Sequence, residues 1–282
     1  MDNAFLQIKI YTRKFFRTLK KESLISIFIG VIITLIVMYV TKKNIFENYA
    51  GTKSGMFALI CACIWIGIFN SIQLVCREKN DIVKDELDKS LKASSYMSAH
   101  FIYQFFLCLI QSIIVFLIFY LFVSGQTFFN GSPLSYLITI FLIMYTSDAM
   151  AFVISSAVPN PIVAMTVMPL LLLIQLVMAG VLFQLENVAK AVAYFTVSKW
   201  GMEALGKIGD ITQVPSSISP DGTPIFIGSQ NPDGSTNPDF DKFSCDGNGD
   251  ILVCWLVLLA FIVAFYFLSV IALKLTTRRV RK

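Results

Sequence analysis

The sequence predicts an all-α polytopic membrane protein with six transmembrane helices, and three observations predict it. Hydrophobic residues make up 56% of the 282 and charged residues only 15%, where soluble domains carry about 25% charged residues. Six apolar stretches free of Lys and Arg recur along the chain, each near the length a bilayer core of about 30 Å requires of a helix. The cations between those stretches are unevenly shared. The same numbers exclude a water-soluble globule, and 25 Phe exclude disorder, which is poor in aromatics.

Residues 1–23 come first. At 100° per residue Phe5, Ile8, Tyr11, Phe15, Phe16 and Leu19 share one arc, and Lys9, Arg13, Lys14, Arg17, Lys20 and Lys21 fill the opposite one. That segregation predicts an amphipathic cytoplasmic helix in the headgroup plane, its cations toward anionic lipid. No small-residue cleavage site follows, so it does not read as a signal peptide.

The predicted spans are 24–40, 54–75, 101–124, 134–158, 162–183 and 251–273. Six spans put both termini on one side of the membrane. Sixteen of the 23 Lys and Arg lie in 1–23, 76–98, the Pro159-Asn160-Pro161 turn and 274–282, and three in the short segments 41–53 and 125–133. The positive-inside rule makes the first set, including the basic tail 274–282, cytoplasmic.

Loop 76–98 carries five basic and five acidic residues, with Val83, Leu87 and Leu91 as an i, i+4, i+8 apolar stripe. Such a stripe on a charged helix suits docking on another protein; a solvated hairpin explains the charge equally well. Residues 184–250 form an extracellular region in two parts. A proline-free stretch, 186–206, predicts a re-entrant or interfacial helix, and 207–250 hold five of the nine prolines and seven Asp, a turn-rich composition.

Catalytic and nucleotide-binding motifs are missing from the sequence. Gly51-Thr52-Lys53-Ser54 lacks the glycine that precedes lysine in a P-loop, and a single histidine, His100, does not make a triad or a zinc centre. His100 reads as a packing residue. No metal site and no nucleic-acid partner are expected. Asp246-Gly247-Asn248-Gly249-Asp250 starts like a calcium loop but has Ile251 at the turn glycine and Val257 at the bidentate acid. Cys245 is expected outside the membrane as a free thiol, with pairing to Cys254 or across a dimer as alternatives. Asp148 lies deep in the fourth span, where a carboxylate marks either a pathway or a polar contact between helices; Gln111 and Gln175 are its candidate partners.

Three passages together resemble the membrane domain of type-2 ABC exporters of the G-subfamily (white/pleiotropic drug resistance) type. Glu78-Lys79, Asp85, Lys92 and Ser94-Ser95-Tyr96 match its first cytoplasmic loop. Ala149-Met150-Ala151-Phe152 with Pro159-Asn160-Pro161 resembles its fourth span and inner turn. The stretch from Met178 to Leu185, followed by Tyr194-Phe195 and by Trp200 to Leu205, is similar to the family's fifth-span exit and re-entrant segment. The match is close over 45–206 and topological elsewhere.

The resemblance implies roles. Residues 1–23 become a connecting helix and 78–92 a coupling helix on an ATPase subunit, with Val83, Asp85, Leu87, Leu91 and Lys92 at the contact. Ile66, Phe69, Asn70, Asp148, Val167, Leu171 and Gln175 become candidates for the substrate cavity, and Val181 and Leu182 for the exit plug. The expected protein is a permease of the plasma membrane, paired with a second permease chain and exporting an amphipathic, lipid-like or peptide cargo. No cofactor is expected on this chain, with ATP and magnesium on the partner. The sequence departs from the pattern at Lys89 and Leu91, where the family has a glycine and an aromatic, and at Asp148, where it has a small polar residue. The usual fused ATPase domain is missing, so a separately encoded, bacterial-type permease is expected. The alternative is a non-transporting membrane scaffold or immunity-type protein that binds partners through 184–250; a membrane enzyme using Asp148 lacks a second group to work with.

Overall fold

The computed structural model describes residues 4–18, 20–87, 93–183, 187–218, 224–226, 243 and 248–280. Ten α-helices run through these segments: α1 (Ala4–Thr18), α2 (Lys20–Thr41), α3 (Tyr49–Ser71), α4 (Leu74–Leu87), α5 (Ala93–Val123), α6 (Pro133–Ala157), α7 (Pro161–Met178), α8 (Asn187–Ala193), α9 (Val197–Ile208) and α10 (Asn248–Val280). Six are long and apolar enough to cross a membrane. A two-residue antiparallel ladder, β1 (Ser217–Ile218) with β2 (Pro224–Ile225), is the β-structure among the described residues.

Local chemistry sets the helix starts. Asn48 accepts from the Gly51 amide at 2.6 Å to cap α3, and Asn160 accepts from Val163 at 2.9 Å to cap α7. Pro133 and Pro161 occupy first-turn positions, where a missing N–H is harmless. Beyond Met178, Gly180 takes φ 68°, a left-handed conformation open to glycine, and α7 ends there.

The central pair is α3 and α6. In its most apolar 18-residue stretch each of the two has about 67% of its residues buried, against 17% in α2, α7 and α10, so those three are far less covered by the chain itself. Gly67 sets the approach of the pair: a Cβ there would collide with the Met144 carbonyl, so only a bare backbone fits, the small-residue rule of membrane helix packing. Helix α10 packs along α6, and α9 is wedged among α3, α6 and α10.

Each of the six long apolar helices overlaps one of the predicted stretches, with different ends. Helix α5 starts at Ala93, eight residues before the predicted 101, because Ser95, Tyr96 and Ala99 are buried against protein. Helix α3 stops at Ser71, and a break at Ile72–Gln73 leads into α4, so the second candidate span runs on to Lys79 and most of loop 76–98 is helical. The single helix predicted over 186–206 is two, α8 and α9, separated at Tyr194–Thr196. Two residues of the apolar arc of α1 are seated on protein as well: Phe15 is buried, and Tyr11 and Phe15 meet Tyr96 edge-on at 6.2 and 6.1 Å. Cys245 lies outside the described residues.

Candidate functional site: the α4 clamp and the intramembrane polar core

Helix α4 begins where α3 breaks, and a new helix start leaves amides without partners. Ser155 of α6 supplies them: its Oγ accepts from the Val75 and Cys76 amides at 3.1 and 3.2 Å. One turn on, Lys79 does the reverse for α6. Its buried ammonium donates to the Ser156 and Val158 carbonyls at 3.3 and 2.8 Å, placing a cation on the negative end of the α6 dipole. Each helix thus satisfies the other's terminus.

Glu78 holds α4 to α5. Its carboxylate accepts from the Tyr96 hydroxyl at 2.6 Å and lies 3.8 Å from His100 Nε2. His100 is 2% exposed, with the Phe15 ring 3.9 Å away and the Tyr96 ring at 4.6 Å, a packing residue in a contact among α1, α4 and α5. On the far side, Thr276 of α10 donates to the same Ser156 carbonyl at 3.0 Å. The base of α4 is therefore bolted to α5 and α6, and α6 to α10.

Of the predicted docking residues, Val83, Asp85 and Leu87 fall on the outer half of α4 by backbone, and their side chains lie outside the described residues, as do Leu91 and Lys92 altogether. The clamp itself, Ser155 with Lys79, was not expected from sequence.

Asp148 is fully buried. Its expected partners Gln111 and Gln175 bind elsewhere. Ser71 of α3 donates to Asp148 Oδ1, and Gln104 of α5 donates to the Ser71 hydroxyl at 2.8 Å and the Asn70 carbonyl at 3.2 Å. Gln111 belongs to an adjoining cluster: it accepts from Asn70 Nδ2 at 2.7 Å and donates to Ser26 Oγ of α2 at 3.1 Å. Gln175 accepts from the Ser198 amide at 3.1 Å and so caps α9 from α7. The first-turn geometry of α9 explains this, since Thr196 at its N-cap makes no side-chain capping bond.

With this frame in place, the comparison with protein families is decisive: residues 6–208, helices α1 to α9, match the ABC-2 type transporter family. The chain belongs to that family. It is therefore the membrane component of an ABC exporter, and ABC-2 permeases in general work with ABC ATPase partners. No curated protein matches the chain.

In this ABC-2 permease the predicted cavity residues separate into three groups. Phe69, 39% exposed, and Asn70 line a cavity of about 340 Å³ between α2, the α3–α4 break and α5. Ile66, Asp148 and Gln175 are buried within the chain, Ile66 against Gly30 of α2. Val167 and Leu171 are half-buried on α7. At the other end, Val181 packs on the main core and Leu182 is 51% exposed, just past the Gly180 turn. Among the described residues no group of His, Cys, Asp and Glu is placed to hold a metal.

Proposed function

We propose that this permease pairs with a second permease chain and is driven by separately encoded ATPase subunits that press on α4. In this reading both termini and α4 are cytoplasmic, in the plasma membrane, and the chain is of the G-subfamily type and bacterial. The observation that supports it is the clamp. A helix whose base is locked by Ser155, Lys79 and Glu78 to two spans behaves as a lever, so a push on its outer half moves α5 and α6 rather than bending a loop. The two states of such a lever differ in partner contacts, and that difference is how ATP energy enters.

The dimer face would be built from the exposed apolar residues of α7, among them Leu170, Leu173 and Ile174. Phe69, Asn70, Val167 and Leu171 would face the translocation route, and Val181 and Leu182 would close its outer end. An aromatic-rich route with few charges suits an amphipathic, lipid-like or hydrophobic peptide cargo.

The test is a mild-detergent pull-down of the tagged chain with mass-spectrometric identification of its partners. An ABC ATPase should be recovered with the wild-type chain and lost with the double variant Val83→Asp/Leu87→Asp. An intact complex without an ATPase would refute the reading and favour a scaffold.

A further inference from the structure

We propose that Asn130-Gly131, between α5 and α6, is a self-modifying site: the Gly131 nitrogen attacks the Asn130 side chain, and the isoaspartate that results unseats this loop from α9. The chemistry needs no partner and does not depend on the exporter role.

The sequence holds two Asn-Gly pairs, Asn130-Gly131 and Asn248-Gly249. Glycine has no Cβ to shield its backbone nitrogen, so the dipeptide alone does not separate them. Their folded geometries do. At the first pair the Gly131 amide donates to Asn130 Oδ1 at 2.8 Å. Cγ is one bond beyond that oxygen, which puts it near the roughly 3–3.5 Å separation of a near-attack conformer. A turn about the Cβ–Cγ bond swings Oδ1 aside and opens Cγ to the nitrogen. Asn130, Gly131 and Ser132 are all exposed, so water and base reach them. The second pair opens α10 and has helical backbone. In a helix each Cα–Cβ bond tilts toward the N-terminus, away from the nitrogen of the next residue.

The step balances with water as the sole co-reactant. Hydroxide removes the Gly131 amide proton, the nitrogen bonds Cγ, the Cγ–Nδ2 bond breaks, and ammonia leaves with a proton from water. A second water opens the cyclic imide. Cleavage of the bond between the nitrogen and Cγ gives aspartate with the main chain restored. Cleavage at the Asn130 carbonyl carbon leaves the chain running through Cγ, longer by one carbon.

The loop has no room for that carbon. The hydroxyl of buried Tyr136 donates to the Asn130 carbonyl at 3.0 Å, and the Phe129 ring stacks on Tyr136 at 5.7 Å. A Cβ on Gly131 would lie 2.2 Å from the Ile208 carbonyl oxygen, so the backbone here rests against the end of α9. In isoaspartate the carbonyl that Tyr136 binds leaves the main chain, and Gly131 is displaced along α9. Aspartate adds only a charge, just ahead of the α6 N-terminus, where an anion is favourable.

The experiment ages the full-length, detergent-purified chain in mildly alkaline buffer and maps its peptides by mass spectrometry, with electron-transfer fragmentation to tell isoaspartate from aspartate. Asn130 should convert several-fold faster than Asn248 in the folded chain, and the two rates should converge in a denatured one. Equal rates in the folded chain, or an unmodified Asn130, would overturn the site. Asn130→Gln should not convert, because its imide ring would be one atom larger and slower to close. The melting temperature of the aged wild type should fall in step with its isoaspartate content. Aged Asn130→Gln and fresh Asn130→Asp, which has the charge without the extra carbon, should both melt like fresh wild type. A modified chain that melts unchanged, or an Asn130→Asp that melts as low as aged wild type, would overturn the unseating.

Discussion

Asp148 is held by a single hydroxyl, that of Ser71, itself backed by Gln104. No lysine, arginine or histidine pairs with it among the described residues, and its Oδ2 has no partner. A hydrogen-bonding role needs the shape and an acceptor oxygen and no charge. Asp148→Asn should therefore keep folded yield and ATPase coupling near wild type, whereas Asp148→Leu should lower thermal stability by about 0.6–1.7 kcal/mol, the span of interhelical bonds measured in membranes. An inactive but folded Asn variant would instead give the carboxyl a role in transport. Sequence reasoning placed this residue inside the bundle and misassigned its neighbours, because Gln111 and Gln175 are equally polar and helix rotation is not encoded in composition. The partner it has, Ser71, is a residue type that ordinarily bonds its own helix and gives no sign of reaching across.

At the scale of elements, the clamp and the α3–α6 contact make separate predictions. Lys79→Ala and Ser155→Ala should leave partner binding intact and weaken the coupling of ATP hydrolysis to transport by about 0.5–2 kcal/mol, as coupling residues do away from either ligand. A reconstituted exporter with either change and unaltered coupling would refute the lever. Gly67→Ala acts on folding: its methyl would meet the Met144 carbonyl, the two central helices must separate, and the yield of folded protein in a fluorescence size-exclusion assay should fall steeply. The six spans were legible because roughly 20 apolar residues in a row admit one reading. Their ends were not, since Ala93 to His100 is polar enough to look like loop and is helical because α1 and α4 pack on it. The clamp was illegible for another reason. Ser155 is 80 positions from Val75, and Lys79 binds backbone carbonyls, which every residue possesses and no pattern marks. The division of 186–206 escaped because α9 is stabilised by burial and by Gln175, neither of them local to its sequence.

For the whole molecule, the distribution of exposed apolar surface is the informative property. Helices α2, α7 and α10 bury few of their residues completely in the single chain, and α7 leads through the Gly180 turn directly to Val181, Leu182 and Phe183, the last two exposed. If two copies meet there, a bulky residue at that point obstructs both. Val181→Trp or Leu182→Trp should reduce export by proteoliposomes or raise ATP hydrolysis per molecule exported, with insertion unchanged; an exporter indifferent to both would move the outer closure elsewhere.

The carbonyl of Ser156 has two donors, Lys79 from one side and Thr276 from the other. Helix α10 lies beyond the family match, yet its C-terminal part, at Thr276, shares a pivot with the base of α4. Whatever displaces α4 must tug on α10 as well. A spectroscopic label near residue 274 would then register a displacement of α4 from another helix, leaving α4 itself unmodified while its motion is recorded.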